Sequence, residues 1–239
     1  METPALAQSS SDRYPAVASP IHTILVIVAV AGWAFWFKTF ADQLRAAASP
    51  NHVRFYLITL LVEWIVFGFV VAGVRLSGAS VLLVLGDHWH SAREVLRDIG
   101  IAAGFWVVAL GLLFVFGKLL RVGEQGGNMQ FIFPHGSVEI ALWIALSVTA
   151  GICEETIFRG YLQRQFIALT KNAPAGILLS GVAFGAAHAY QGFRMVILIS
   201  LFGSMFGILA YWRGSVRPGM ITHAWQDSLG GVLGSLMKH

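Results

Sequence analysis

The chain has 239 residues, of which 56% are hydrophobic and only 12% are charged, with a mean hydropathy of +0.70. A soluble domain carries about twice that charged fraction, so the composition excludes an ordinary soluble fold and points to a polytopic membrane protein. The net charge of +4 comes without a basic stripe or an aromatic-basic platform, which excludes nucleic acid as a partner and suits contact with membrane lipid headgroups. The single cysteine, Cys153, leaves no partner for an intrachain disulfide.

Residues 1–19 are polar and rich in Ser, Ala and Pro and are expected to form a disordered N-terminal tail. The first apolar stretch starts late, behind a weakly basic segment, and reads as a retained span rather than a cleaved leader. Spans of about 20 apolar residues are expected in a bilayer. They fall near Ile21–Phe37, Phe55–Val74, Ile99–Gly117, Val138–Cys153, Ala175–Ala189, Met195–Trp212 and Pro218–Met237. The fifth and the last are short or polar and are expected to be inner helices. Between the second and third spans, Ser77–Gly86 is apolar but too short to cross, and Asp87–Asp98 is charged and amphipathic, as at an interface. Lys and Arg divide almost evenly between the two sets of loops, so orientation stays open. The expected architecture is all-α: a transmembrane bundle of roughly seven to eight spans around a polar intramembrane cavity. Residues 20–136 would form the N-terminal helices with their interfacial segment, and residues 137–239 a helical core.

The N-terminal half offers thin signals. Glu63 lies inside the second span and needs a partner or a water-filled cavity, without a chemical role that its sequence context would assign. Glu139 near a helix start is favourable with the helix dipole. His88 and His90 beside Asp87 read as solvated surface. Gly203-x-x-x-Gly207 and Gly230-x-x-x-Gly234 are spacings that let helices approach closely.

The C-terminal half places ionisable residues in apolar helices. Glu154 and Glu155 end the fourth span and Arg159 follows. On a continued helix, Glu155 and Arg159 share a face and can pair. Glu154 is rotated by about 100° and is left to point elsewhere, a candidate base. Two acids solvated at a helix end in the headgroup layer would produce the same string. His188 ends the next apolar helix, with Phe184 one turn before it on the same face. His223 and Asp227 share a face of the last helix, fit to act as an acid-base couple, a ligand pair or donors to a developing anion, or simply to satisfy each other. Three helices that each bring ionisable residues into an apolar segment form a reaction-site constellation, because such residues face the bundle interior and one another.

Glu154-Glu155-x-x-x-Arg159, then Phe184-x-x-x-His188, then His223-x-x-x-Asp227 resemble the ordered motifs of the CAAX protease and bacteriocin-processing (CPBP, or Abi) family. The resemblance covers roughly residues 137–237. It implies a helical membrane fold around a cavity, peptide-bond hydrolysis by a glutamate without metal or other cofactor, and a membrane-associated peptide or protein as substrate. Many members are bacterial, which implies the inner membrane. Carried over, Glu154 with His188 would activate water, His223 with Asp227 would stabilise the oxyanion, and Glu155, Arg159 and Phe184 would support the site. The chain departs from the CAAX-processing branch at Asp227, where that branch has Asn. An amide donates to an oxyanion, whereas an ionised carboxylate repels one, so Asp227 must be protonated or must instead orient His223. Three other readings stay open at this level. One is a zinc protease with Glu154, His188 and His223 as ligands. The second is a cysteine protease using Cys153, and the third a non-catalytic binding, immunity or scaffold protein. No sequence feature speaks to the oligomeric state.

Overall fold

A computed structural model describes residues 14–122 and 129–236 of the chain. Among them there are helices and turns but no strand. The elements are α1 (Pro20–Ala46), α2 (His52–Leu76), the short α3 (Leu82–Leu85), α4 (Ala92–Leu119), α5 (Gly136–Thr170), α6 (Ala173–Ala187), α7 (Phe193–Arg213) and α8 (Arg217–Leu236). Short 3-10 turns cover Met129–Ile132 and Ala189–Gln191.

Local chemistry sets the helix ends. Ser19 accepts from the His22 amide and is followed by Pro20 at the first helical position. Asn51, Ser91 and Asn172 cap α2, α4 and α6 in the same way. Gly214, at φ +64°, closes α7 in the left-handed conformation that glycine tolerates.

Helices α1, α2, α4, α5 and α7 are long and apolar enough to cross a membrane. Their outward faces stay apolar: Phe35, Val107, Phe114 and Ile208 are exposed. That surface suits hydrocarbon and would be costly in water. The short α6 and the more polar α8, the two expected as inner helices, bury Phe184 and His223 and leave Leu178, Val182, Leu229 and Leu233 exposed. α6 packs along α7, and α5 lies between α2 and α8.

Four expectations change. The fourth span does not end at Cys153: α5 continues to Thr170 through a π-helical stretch, Glu155–Leu162, so the two glutamates stand mid-helix and not at a helix end. The polar tail expected through residue 19 is packed from Tyr14 onward. Tyr14 stacks on Tyr211 with ring centres 4.9 Å apart, and the Val17 amide donates to Gln165 Oε1 at 2.7 Å. Residues 1–13 lie outside the described residues, as does Met237, the expected end of the last span. The interfacial segment is anchored at its end, where Asp98 is 0% exposed. It accepts from Trp89 Nε1 at 2.9 Å and Arg213 at 3.0 Å and lies 3.3 Å from Arg217 Nε. This cluster ties the start of α4 to the end of α7 and the start of α8. Finally, the spacing of Gly230 and Gly234 is not one packing face: Gly230 borders open space, while Gly231 and Gly234 sit against Trp143 and Phe133.

The α5–α8 contact positions the polar interior. A methyl at Gly151 would stand 2.7 Å from the Met220 carbonyl and 3.1 Å from the Ala224 amide, both backbone atoms that cannot swing aside. Gly151→Ala is therefore expected to push α8 off α5 and to destabilise the fold by about 1–3 kcal/mol. A lowered thermal unfolding midpoint in detergent checks this; an unchanged midpoint would show that the two helices yield without cost.

Candidate active site

The π-helical stretch of α5 is buried over all eight residues, Glu155 to Leu162. Its wider turn changes the angular spacing of side chains, a device often found where a helix carries function. Glu155, 1% exposed, pairs with Arg159, 2% exposed, at 2.9 Å. Each also has further partners. Arg159 donates to the Gly203 carbonyl at 3.2 Å, and its guanidinium lies 4.2 Å from the centre of the Phe184 ring and 5.3 Å from that of Phe206. Such faces attract a desolvated cation. On the other side, Glu155 Oε1 stands 3.1 Å from His223 Nδ1. An ionised carboxylate can only accept, so Nδ1 carries the hydrogen.

His223 comes from α8, and its second nitrogen faces the remaining acids. Nε2 is 3.5 Å from Asp227 Oδ2 and 3.7 Å from Glu154 Oε2. The fit is close enough that a methyl at Gly219, one turn earlier, would meet Glu155 Oε2 at 2.9 Å. Trp143 of α5 donates to the Asp227 carbonyl at 2.8 Å and fixes the register of the two helices.

His188 ends α6. Its Nδ1 lies 2.9 Å from the Phe184 carbonyl; a carbonyl only accepts, so this nitrogen carries the hydrogen and Nε2 presents a lone pair. Phe184 packs its ring 4.7 Å from His188 and 6.0 Å from His223. One aromatic ring thus wedges the Arg159 guanidinium and both imidazoles into fixed relative positions.

Glu154, His188 and Asp227 line one cavity of about 140 Å³, together with Glu63 of α2 and the aromatic walls of Trp33, Phe37 and Tyr190. The volume has room for several waters, and the acids and imidazole supply polar partners for them. The structure therefore brings together all seven residues singled out from the sequence. Glu154 faces the cavity while Glu155 turns inward to Arg159, as helix geometry predicts. No hydrogen bond joins His188 directly to Glu154; they meet through the cavity. Sequence reasoning missed two things: the Glu155–His223 contact and the position of Glu63 on the cavity wall. The signal for Glu63 was present, since an acid within an apolar span must face something polar. The zinc reading loses support, because among the described residues no three His, Cys, Asp or Glu side chains are disposed to hold a metal ion. Cys153 is 0% exposed, which keeps its sulfur from a substrate.

Residues 136–229 match the family model described as Type II CAAX prenyl endopeptidase Rce1-like. This is the family that the three motifs resemble, and the matched stretch runs from the start of α5 into α8. Neither the curated proteins nor the solved structures yield a match. Over that stretch, less than half of the chain, the protein is CAAX-protease-like, and its five apolar helices of spanning length suit an integral membrane protein.

Removing Arg159 leaves the Glu155 carboxylate buried without its cation. Arg159→Met is expected to cost about 3–5 kcal/mol, and adding Glu155→Leu should recover much of that loss, because an uncompensated charge and not the lost pair carries the penalty. Thermal unfolding of the two single variants and the double variant in detergent reads the difference. Purely additive losses would contradict it.

Proposed function

We propose that this membrane protein is an endopeptidase that hydrolyses a peptide bond of a membrane-associated protein or peptide, with Glu154 as the group that activates water. The observation that carries this reading is the cavity itself: Glu154, His188 and Asp227 open onto one space with room for water while Glu155, Arg159 and Phe184 lie behind it. A water held between Glu154 and Nε2 of His188 would attack the peptide carbonyl carbon and pass its proton to the base, forming the new carbon–oxygen bond. The oxyanion that develops needs donors fixed in advance. His223, protonated on both nitrogens, would donate from Nε2, with Nδ1 anchored to Glu155. Collapse of the tetrahedral intermediate breaks the carbon–nitrogen bond, and the proton held by Glu154 passes to the leaving amine. The second proton of the water stays on the new carboxyl group until that group passes it to the amine, so the products leave as a carboxylate and an ammonium, and the residues return to their starting state.

Asp227 suits the second of its two possible roles. Its Oδ2 lies 3.5 Å from His223 Nε2, where in the resting site a carboxylate accepts from the ring and stabilises its charged form, and the one Nε2 hydrogen passes from that contact to the oxyanion as it develops. In that role it is not the second oxyanion donor that an Asn would be. The low-dielectric walls strengthen each of these interactions. The chemistry as drawn uses side chains of this chain, and we take a bacterial inner membrane as its setting.

Purified protein in detergent is expected to cleave a membrane-associated peptide. Glu154→Gln and His188→Ala should each lower kcat by at least about 100-fold while KM changes little. Full activity in both variants would overturn the reading. A biological function that persists in Glu154→Gln would favour a binding or scaffold role for the same fold. Asp227→Asn tests the remaining assignment: it should retain activity if an amide donor can replace ring orientation, and the ratio of the two rates measures how much orientation contributes.

A further inference from the structure

The cavity holds an acid that the hydrolysis above does not use. Glu63 reaches it from α2, whereas Glu154 and Asp227 reach it from α5 and α8. Glu63 is only 9% exposed, and its Oε2 has no hydrogen-bond partner among the described residues. Glu154 Oε2 and Glu155 Oε2 also lack a hydrogen bond, but the other deeply buried acids have cationic partners: Glu155 has Arg159 and His223 on its Oε1, and Asp98 has Arg213 and Arg217. Of the side-chain donors on the same cavity wall, Trp33 Nε1 and the Tyr190 hydroxyl do not reach Glu63 Oε2, and two others are engaged elsewhere. Thr59 Oγ1 donates to the Phe55 carbonyl at 2.9 Å, and Trp143 Nε1 donates to the Asp227 carbonyl at 2.8 Å.

Charge sharpens the point. Three carboxyl groups line the cavity, and among the described residues no Lys or Arg does. The nearby imidazoles are committed elsewhere: Nδ1 of His188 to a carbonyl, Nδ1 of His223 to Glu155, and Nε2 of His223 toward Asp227 and Glu154. A buried carboxyl facing a cavity without a partner is costly unless a donor arrives from outside. The rest of the wall is aromatic, with Trp33, Phe37 and Tyr190 among its faces, and aromatic faces attract cations. Acid together with aromatic and aliphatic surface is complementary to an alkylammonium or alkylguanidinium group, which has a charged head on an apolar stem.

We propose that Glu63 forms a cation-accepting subsite of the cavity, in which a lysine or arginine side chain of a membrane-associated peptide docks beside Glu154. That the peptide is then cut rests on the endopeptidase reading; that the cavity selects a cation does not. Glu63 is a specificity-determining residue in this scheme, and it takes no part in bond cleavage.

The test uses the full chain purified in detergent and fluorescent peptides of one apolar sequence. Lysine or its uncharged counterpart norleucine is placed at each position in turn, and empty micelles serve as the control. Wild type should bind the best lysine peptide at least about tenfold tighter than its norleucine twin. Glu63→Gln should bring that ratio close to one without lowering the thermal midpoint, because it removes an unpaired acid and not a contact. Equal affinities in wild type, or a lysine preference that survives Glu63→Gln, would overturn the proposal. Should that variant fail to fold, butylammonium and butanol compete for wild type instead. Displacement of the lysine peptide by the cation alone is expected, and equal displacement by both overturns the subsite. A lysine preference without cleavage of any peptide would uphold the subsite and remove the endopeptidase reading.

Discussion

The ion pair between Glu155 and Arg159 is the constraint on which the polar interior depends. Both groups are almost wholly removed from solvent, so each needs partners beyond the other to stay charged. Arg159 meets that demand with the Gly203 carbonyl of α7 and the Phe184 ring of α6, and Glu155 meets it with His223 of α8. Four helices are thereby held to one point. A hydrophobic interior of the same volume could pack in several registers, whereas this arrangement permits few, because each polar atom must find its acceptor or donor.

From that point the neighbouring acid acquires its different character. Glu154 and Glu155 are adjacent in sequence but occupy opposite situations: one is saturated inside the protein, the other opens onto the cavity with His188 and Asp227. The π-helical stretch that begins at Glu155 buries eight consecutive residues, which an amphipathic α-helical pattern would not do. His223 joins the two settings, with one nitrogen on the framework acid and the other toward Glu154 and Asp227. Any change in the framework is thus transmitted to the cavity through a single ring.

A second buried charge cluster, around Asp98, works at a distance from the cavity. It fastens the interfacial turn to the ends of α7 and α8, the latter being the helix that carries His223. The bundle is therefore held by polar contacts at both levels, as expected where lipid provides no hydrophobic drive between helices. Close backbone approach at Gly151 supplies the complementary packing.

Composition and spacing alone determined the helical membrane class, the Glu155–Arg159 pairing and the turn of Glu154 away from it. These depend on apolar run length and on the helical angle between neighbours, which are properties of local sequence. The three motifs in order also pointed to the family. Other features were decided only by the fold. The continuation of α5 past Cys153, the ordering of Tyr14 against Tyr211, the burial of Asp98 and the Glu155–His223 contact each join segments far apart in the chain. Glu63 shows the boundary most clearly. The sequence required an acid in a span to face something polar, but only the packing of α2 against α5 could bring it to the cavity of Glu154, because a side chain's partners depend on which helices meet.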